Sequence, residues 1–455
     1  PRPAGVRGFE SHPPHQRNVL ARRHHVDRVL SADEAVAATE LAALLVFLAS
    51  RVKRPKLPVW AFMSLLAFVS VSLGLVPVDA IGSAIDYDVI LFLIGMFSLV
   101  SMAESSGLLD YLAYRMSSLQ IGGLAYLVVL SLFFGLLSSL VVNDTMAMMG
   151  VPLALSISES AGVDPEAIVL LLAFSLTIGS VFTPIGNPQN VLIAVESGVS
   201  APLTTFVEYL AVPTAINLLL LPPVMAVLYP SIRKTGHVAV TRPNVDRRDA
   251  AIAAVGIAAV VVALVVNDYM ELAGLPHFQN IGFIPFVVAA GAYSFARDPR
   301  KVVRSVDWGT IIFFISMFIT MYGIWRSGLF WAMSHALIPS MTTGLPGILE
   351  IGAVSVALSQ LMSNVPFVNL FIDYMRQLGY GPGSAWAWLT LAYSSTVAGN
   401  LTFLGAASNI IILEGLESKR GRSISFWRFL RAGALVTAIN FVTYSAYIYL
   451  VFFIK

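Results

Sequence analysis

The sequence predicts an all-α polytopic membrane protein of about ten transmembrane crossings, built as two inverted repeats that each carry a re-entrant hairpin and a broken helix. Three observations lead there. Apolar residues make up 57% of the 455-residue chain and charged residues 12%, against roughly one quarter charged in soluble proteins. Apolar runs near the 20 or so residues needed to cross a bilayer recur along the chain. The two halves also align with one another, position for position, including their polar residues.

Uninterrupted apolar runs fall at 35–50, 57–76, 88–104, 203–229, 250–267, 280–296, 308–325 and 429–453. Four more are interrupted at their midpoints: 121–160 at Asn143-Asp144-Thr145, 166–197 at Thr183-Pro184-Ile185-Gly186-Asn187-Pro188, 346–379 at Ser363-Asn364-Val365-Pro366, and 384–415 around Gly399-Asn400-Leu401-Thr402. Irregular backbone at membrane depth persists only where protein or a water-filled cavity satisfies its polar groups. Four such breaks therefore imply a central polar site.

The repeat appears when the chain is slid along itself, ungapped within each aligned segment. A shift of 221 positions lays the segment beginning at Ile85 on that beginning at Val306 with nine identities, and places Asn143 on Asn364 and Ser138 on Ser359. A shift of 219 places Thr183 on Thr402, Gly186 on Gly405 and Asn190 on Asn409. Apolar similarity alone would not align these polar residues inside the breaks. The chain thus divides into a polar, Arg-rich tail (1–34), a first repeat (35–229), a basic linker (230–249) and a second repeat (250–455).

With 121–160 and 346–379 as hairpins, each half makes five crossings, an odd number, so the halves are inverted relative to each other. The clusters Arg51/Lys53/Arg54/Lys56, Arg233/Lys234/Arg247/Arg248, Arg297/Arg300/Lys301/Arg304 and Lys419/Arg420/Arg422/Arg428 then share one face, the cytoplasmic one. The acidic loop with Asp79, Asp86 and Asp88 lies on the other face. A net charge of +2, with basic residues confined to short loops, points to the lipid bilayer and away from nucleic acid. No cysteine is present, which removes disulfides, thiolate metal sites and cysteine nucleophiles. His24-His25 sits in an Arg-flanked tail and reads as solvated. An intramembrane enzyme would need paired Asp, Ser with His, or His-Glu-x-x-His within the membrane; only His335 lies in an apolar stretch, without such a partner.

Hairpin tips and broken helices offer half-helix N-termini for an anion and unwound carbonyls for a cation. Asn143 and Asn364 at the tips supply both acceptors and donors. Ser138 and Ser359, five residues earlier, could complete the shell of a sodium ion, with Ser363 beside the second tip. Asp144 is a carboxylate placed near the membrane centre, where its retention points to proton or cation coupling. Thr183, Gly186, Asn187 and Asn190, with Asn400, Thr402, Gly405, Ser408 and Asn409 in the other half, read as unwound helix facing substrate, the glycines allowing close approach of backbone to ligand. No cofactor is expected beyond Na+ or H+ as coupling ion.

These motifs make the chain similar to the ion transporter superfamily from about residue 35 to its last residue. It resembles in particular the arsenite efflux permease and sodium/proton antiporter branch, and more distantly the divalent anion/sodium symporters. In those symporters a Ser-Asn-Thr triplet occupies each tip and its Thr serves substrate carboxylates. Here the tips read Val142-Asn143-Asp144 and Ser363-Asn364-Val365, so both threonines are replaced. The Asn-Asp pair looks like the arsenite permease pattern, and TPIGNPQN from Thr183 resembles the superfamily's broken-helix motif.

The resemblance implies an alternating-access secondary transporter in the plasma membrane, exporting arsenite or antimonite in exchange for protons; neutral arsenous acid is a hydroxylated ligand that Asn, Ser and Thr can hold. Sodium-coupled uptake of an inorganic or dicarboxylate anion, or sodium/proton antiport, is the alternative. A homodimer, and a soluble ATPase partner if the arsenite type applies, are further implications.

Overall fold

The structure, a computed structural model, describes residues 31–50, 58–119, 121–141, 143–234, 242–403, 405–420 and 424–454, leaving aside the side chains of Ser117, Asp144, Ala407, Lys419 and Arg420. His24-His25, the 51–56 basic cluster and Arg422 lie outside the described residues.

The described residues form twenty α-helices. In the first half these are α1 (Ala32–Ser50), α2 (Val59–Ser72), α3 (Ile81–Ala84), α4 (Tyr87–Ser105), α5 (Leu108–Ser117), α6 (Gly123–Leu140), α7 (Asn143–Ala161), α8 (Pro165–Gly179), α9 (Pro188–Glu196) and α10 (Pro202–Leu228). The second half supplies α11 (Arg247–Leu272), α12 (Phe283–Phe295), α13 (Pro299–Ser305), α14 (Trp308–Ser327), α15 (Leu329–Leu337), α16 (Gly344–Met362), α17 (Asn364–Leu378), α18 (Ala385–Val397), α19 (Ala407–Arg420) and α20 (Phe426–Phe453). Ten helices follow in the same order of long and short in each half.

Seven of them are long and apolar enough to cross a membrane: α4, α6, α10, α11, α14, α16 and α20. The runs expected at 57–76 and 280–296 give shorter helices. With 14 and 13 residues, α2 and α12 reach only about 20 Å at 1.5 Å per residue. Leu73-Gly74 ends α2, Gly74 taking φ +80°. At the other end of the first half, α1 begins at Ala32, inside the segment assigned to the tail. Ser31 and Glu34 explain it: the Glu34 carboxylate accepts the Ser31 N–H at 2.7 Å and the Ser31 hydroxyl accepts the Glu34 N–H at 3.2 Å, a reciprocal capping box. Likewise α11 begins within the expected linker because Asp246 accepts the N–H groups of Arg248 and Asp249.

Packing sorts the helices into two bodies that each draw on both halves. One holds α1–α5 and α11–α15: α2 lies against α14, and α12 lies against α4. The other holds α6–α10 and α16–α20: α6 packs on α8 and α16 on α18, while α10 meets α20. Across the halves, α7 packs on α19 and α17 on α9, so each hairpin touches both its own half and the other.

Small residues and rescued carbonyls make the second body close-packed, as helices in lipid require. A side chain at Gly179 of α8 would come within 2.2 Å of Gly135 on α6, so backbones touch there. Pro222 inside α10 supplies no N–H to the carbonyl of Leu218, and the Ser131 hydroxyl of α6 donates to that oxygen at 3.0 Å. The two bodies are joined where α10 starts. Ala201, at φ +49°, provides no side-chain cap, and two acids of α11 act instead: Asp268 accepts the Thr204 N–H at 2.7 Å and Glu271 the Ala201 N–H at 2.9 Å.

Replacing Asp268 with Ala removes that cap from another helix and should cost about 1 to 2 kcal/mol. The expected outcome is a lower melting temperature in detergent, with amide exchange accelerated in residues 201–206 ahead of the rest of α10. Unchanged exchange there would show that the helix start is held by packing alone.

Candidate functional site

The breaks sit slightly earlier than the sequence suggested. Asn143 and Asn364 open the returning arms α7 and α17, with Val141 closing α6 and Ser363 forming the second tip. Asn143 is 6% exposed and Asn364 4%. Ser363 occupies φ +69°, ψ 160°, a region normally left to glycine and costing about 1–3 kcal/mol. The first tip is held by the Asn143 N–H donating to the Gly186 carbonyl at 3.3 Å.

In the first broken helix the polar side chains predicted to face substrate are engaged with the break itself. Thr183 donates to the Ser139 carbonyl at 2.6 Å and accepts the Gly186 N–H at 3.0 Å. Asn187 caps α9 through the Asn190 N–H at 2.9 Å and gives its amide to Ser180. The Asn190 amide lies within 3.1 Å of three carbonyls, those of Ser180, Val181 and Thr183. Gly186 lets the loop fold back, since a side chain there would meet the Ser180 carbonyl at 2.5 Å. Ser138 donates to the Leu176 carbonyl on α8 at 2.8 Å.

The second broken helix differs. Its 3-10 turn, Ala398–Asn400, is followed by an irregular stretch up to α19. Asn409 donates to the Gly399 carbonyl at 2.6 Å. Gln360, which the sequence reading overlooked, donates to the Ala398 carbonyl at 2.9 Å and accepts the Thr402 hydroxyl at 2.7 Å. Around this break six buried side-chain atoms find no hydrogen-bond partner among the described residues: Ser359 Oγ, Asn364 Oδ1, Asn400 Oδ1 and Nδ2, Ser408 Oγ and Asn409 Oδ1. Each such group left unpaired costs about 1–3 kcal/mol. Gly399 brings these elements together: a side chain on it would lie 3.5 Å from Asn364 Nδ2 and 3.7 Å from Thr177 Cγ2 of α8. A side chain at Gly405 would lie 3.2 Å from Gln360 Oε1. Thr396 on α18 joins this layer to the first half, its hydroxyl within 3.5 Å of Asn187, Gln189 and Asn190. Thr396 and Gln189 were also missed: Thr396 lies outside the paired motifs, and Gln189, inside TPIGNPQN, faces a different residue type, Ser408, in the other half. Asp144 is the second residue of α7. No Lys, Arg or His side chain is buried among the described residues.

A second polar feature lies where the two bodies meet, beside α4, α9, α14 and α17. A cavity of 210 Å³ is lined by Asp86, Glu196, Tyr322, Asn369 and Asp373, among others. Asp86 caps α4 by accepting the Asp88 and Val89 N–H groups at 2.8 and 3.0 Å. Its carboxyl group also shares a hydrogen bond with that of Glu196 on α9, which pairs at 2.8 Å with Arg376 of α17. Burial, then the neighbouring Glu196, pushes the Asp86 carboxyl up to about 8. Arg376 also contacts Asp373 at 3.4 Å.

Buried, uncharged polar side chains gather at breaks in this bundle, seven of whose described helices are membrane-length, and the family match makes the protein a membrane transporter and not an enzyme. The chain belongs to the citrate transporter family (CitMHS), which it matches over residues 43–398, within the ion transporter superfamily. It is similar to Rv2684 of Mycobacterium tuberculosis (strain ATCC 25618 / H37Rv), described as an uncharacterized transporter: 27% identity over 387 residues, covering 82% of this chain and 88% of that one. The inner membrane protein YbiR of Escherichia coli (strain K12) is 28% identical over 351 residues, covering 76% and 83%. The silicon efflux transporter LSI3 of Oryza sativa subsp. japonica is 32% identical over 154 residues, 32% of each chain. Among solved structures, the YdaH transporter of Alcanivorax borkumensis superposes with a TM-score of 0.55 at 15% identity, covering 92% of this chain and 98% of that one. MtrF of Neisseria gonorrhoeae gives 0.52 at 10% identity, covering 93% and 95%. Both likenesses concern the fold alone.

The contrast between the two broken helices yields an expected mutational split. Asn190→Ala takes the amide donor from the buried Val181 and Thr183 carbonyls, Ser180 keeping that of Asn187, and should lower stability by about 2 kcal/mol or more, read as a fall in melting temperature. Asn364→Ala removes an oxygen that has no partner in the protein and should cost less than about 1 kcal/mol while abolishing solute flux. Equal melting temperatures for the two variants would contradict the division of roles.

The seam gives a pH dependence whose sign is fixed. Asp86 is raised in the folded protein, so its contribution is fully present below the ordinary carboxylate range and is lost as pH rises through about 8. Amide exchange at residues 83–89 and 194–198 should accelerate over that rise, and Asp86→Asn should flatten the change. Exchange that instead accelerates on acidification would refute the shared-proton contact.

Proposed function

We propose that the chain is an alternating-access secondary transporter in which the body carrying the hairpins (α6–α10 with α16–α20) moves against the other, exporting a small neutral hydroxylated oxyacid, arsenite or antimonite, in exchange for protons. One observation carries the reading: the unpaired buried amide and hydroxyl atoms of Ser359, Asn364, Asn400, Ser408 and Asn409 lie in a layer with no buried basic side chain among the described residues. Neutral O–H groups satisfy such acceptors, whereas a multiply charged anion would be left without a counter-charge. The silicon efflux activity named for LSI3 concerns another small hydroxylated solute and agrees with this class. Asn143 lines the same layer in this reading, and Asp144 is the proton-coupling carboxyl, the first turn of a helix at a hairpin tip being a place where protonation alters the local field.

The topology we assign is ten crossings in two inverted repeats, with basic loops in the cytoplasm and the protein in the plasma membrane. Support comes from the matching order of ten helices in each half and from YbiR being an inner membrane protein. At 18 and 19 residues, α6 and α16 are long enough to cross. A full crossing and return leaves the same sidedness as a re-entrant hairpin, so the assignment of the basic loops does not depend on that choice.

A second reading is sodium-coupled anion uptake. The same acceptors, Asn364 Oδ1, Asn409 Oδ1 and Ser359 Oγ, are neutral oxygen ligands of the type a hard cation takes, and a bound sodium would supply the charge an anion needs. The family description as citrate transporter is consistent with it.

Proteoliposomes with proton and sodium gradients imposed separately decide between them, using arsenite, antimonite, silicic acid and citrate. The proposal expects arsenite movement driven by a pH gradient, insensitive to sodium and lost in Asp144→Asn. Citrate accumulation that requires sodium and survives Asp144→Asn would replace the first reading by the second.

A further inference from the structure

The first body contains a buried acid that neither the breaks nor the seam uses. Glu40 is the ninth residue of α1 and is 2% exposed. Its Oε1 accepts the hydroxyl of Ser70 on α2 at 2.7 Å, and Ser70 is itself fully buried. Its Oε2 has no hydrogen-bond partner among the described residues. Besides α2, α1 packs on α14, α15 and α16.

The titratable and charged groups of those helices are engaged elsewhere. On α14, Arg326 reaches the Leu75 carbonyl at 3.4 Å and Tyr322 lines the seam cavity. On α15, His335 stacks on Trp331, with the Tyr374 hydroxyl 3.5 Å away. On α16, Glu350 is half-buried, and among the described residues no basic group is paired with Glu40. Within α1, Glu34 belongs to the capping box.

An ionised carboxylate buried between membrane helices, with one oxygen unpaired and no cation nearby, is strongly disfavoured. The neutral acid resolves most of the conflict: one oxygen keeps the Ser70 hydroxyl, and the other carries the proton. Ionisation would require water or a donor to reach Oε2, and that means separating α1 from its neighbours. One of those neighbours is α16, the entering arm of the second hairpin, which belongs to the other body. A proton on Glu40 therefore favours the packing of α1 seen here, and its loss favours a looser one.

We propose that Glu40 is a proton-binding site in the first body, separate from Asp144, whose occupancy sets how firmly α1 holds the arm α16 and hence the rate at which the bodies move. The proton comes from bulk water and returns to it; no other group changes charge. The inference rests on the alternating-access reading for its link to rate, but not for proton binding itself.

Two measurements test it. In proteoliposomes at equal pH on both sides, downhill arsenite exchange by the wild type is expected to change at least tenfold between acid and alkaline conditions. Glu40→Gln keeps the volume and the acceptor for Ser70, and should flatten that profile to less than twofold. A Glu40→Gln profile superimposable on that of the wild type overturns the proposal.

Infrared difference spectra of the wild-type protein against pH give the second arm, which needs neither transport nor the Gln variant. A protonated-carboxyl C=O band that titrates, and shifts in frequency in Ser70→Ala, is expected; absence of such a band overturns proton binding at Glu40. If arsenite does not move at all, the oxyacid reading fails while the infrared result still decides the proton site.

Discussion

Every backbone polar group placed at membrane depth must find a partner inside the protein, and the architecture of this transporter follows from how it meets that demand at its breaks. Unwinding a helix frees carbonyls and N–H groups that lipid cannot solvate. At the first broken helix the answer is side-chain amides and hydroxyls: Asn190 spans the Ser180, Val181 and Thr183 carbonyls, Thr183 closes on Gly186, and Asn187 caps the next helix. That break is satisfied by its own residues. The second is braced by Gln360 and Asn409, which satisfy two carbonyls, while Asn400, Ser408 and Asn364 keep atoms unpaired. Symmetry in sequence has thus become asymmetry in hydrogen bonding, one half serving as the rigid counterpart of the other.

The division into two bodies extends the same logic. Helices in lipid gain nothing from excluding water from apolar faces, so contact must come from close backbone approach and from polar groups that finish one another's bonding. Gly135 against Gly179 and the Ser131 hydroxyl on the Leu218 carbonyl weld α6, α8 and α10 into one unit. Between the bodies, alongside helix packing such as α14 on α17 and α4 on α9, carboxylates take part: Asp268 and Glu271 of α11 cap the start of α10, and Asp86 before α4 meets Glu196 of α9. Carboxylate contacts vary in strength with pH, as backbone packing does not.

Much of this was legible in the sequence because duplicated polar positions survive in a background of interchangeable apolar ones. The correspondence of Asn143 with Asn364 and of Asn190 with Asn409 located all four breaks to within a few residues. The capping box of Ser31 and Glu34 was equally readable, yet the Arg-rich composition ahead of it drew the tail boundary past the start of the helix. The true lengths of α2 and α12 were less visible, since Leu73-Gly74-Leu75-Val76 continues the hydropathy of α2 while Gly74 ends its helix. Asp86 and Glu196 could not have been paired at all: they lie on different bodies and meet only through tertiary packing. The split in roles between the broken helices was hidden for a similar reason. Whether an Asn amide serves a ligand or three backbone carbonyls depends on distances that spacing does not carry, and Gln360, the residue that makes the second half different, faces Ser139 in the repeat and so breaks the match that Ser138 and Ser359 make beside it.

The absence of buried basic side chains among the described residues ties selectivity to coupling. An anionic solute entering this layer would have to bring its counter-charge, as a sodium ion or as protons that neutralise it, because the amides and hydroxyls of Ser359, Asn364, Asn400, Ser408 and Asn409 offer dipoles only. A neutral oxyacid carries no such debt and can be held by those dipoles directly. In the first case the coupling ion is part of the binding site, so substrate and ion must travel together. In the second the coupling carboxyl can stand apart from the substrate, and proton and solute can move in opposite directions. The question of which solute is carried and the question of which ion drives it are therefore one question, posed by the charge of the site.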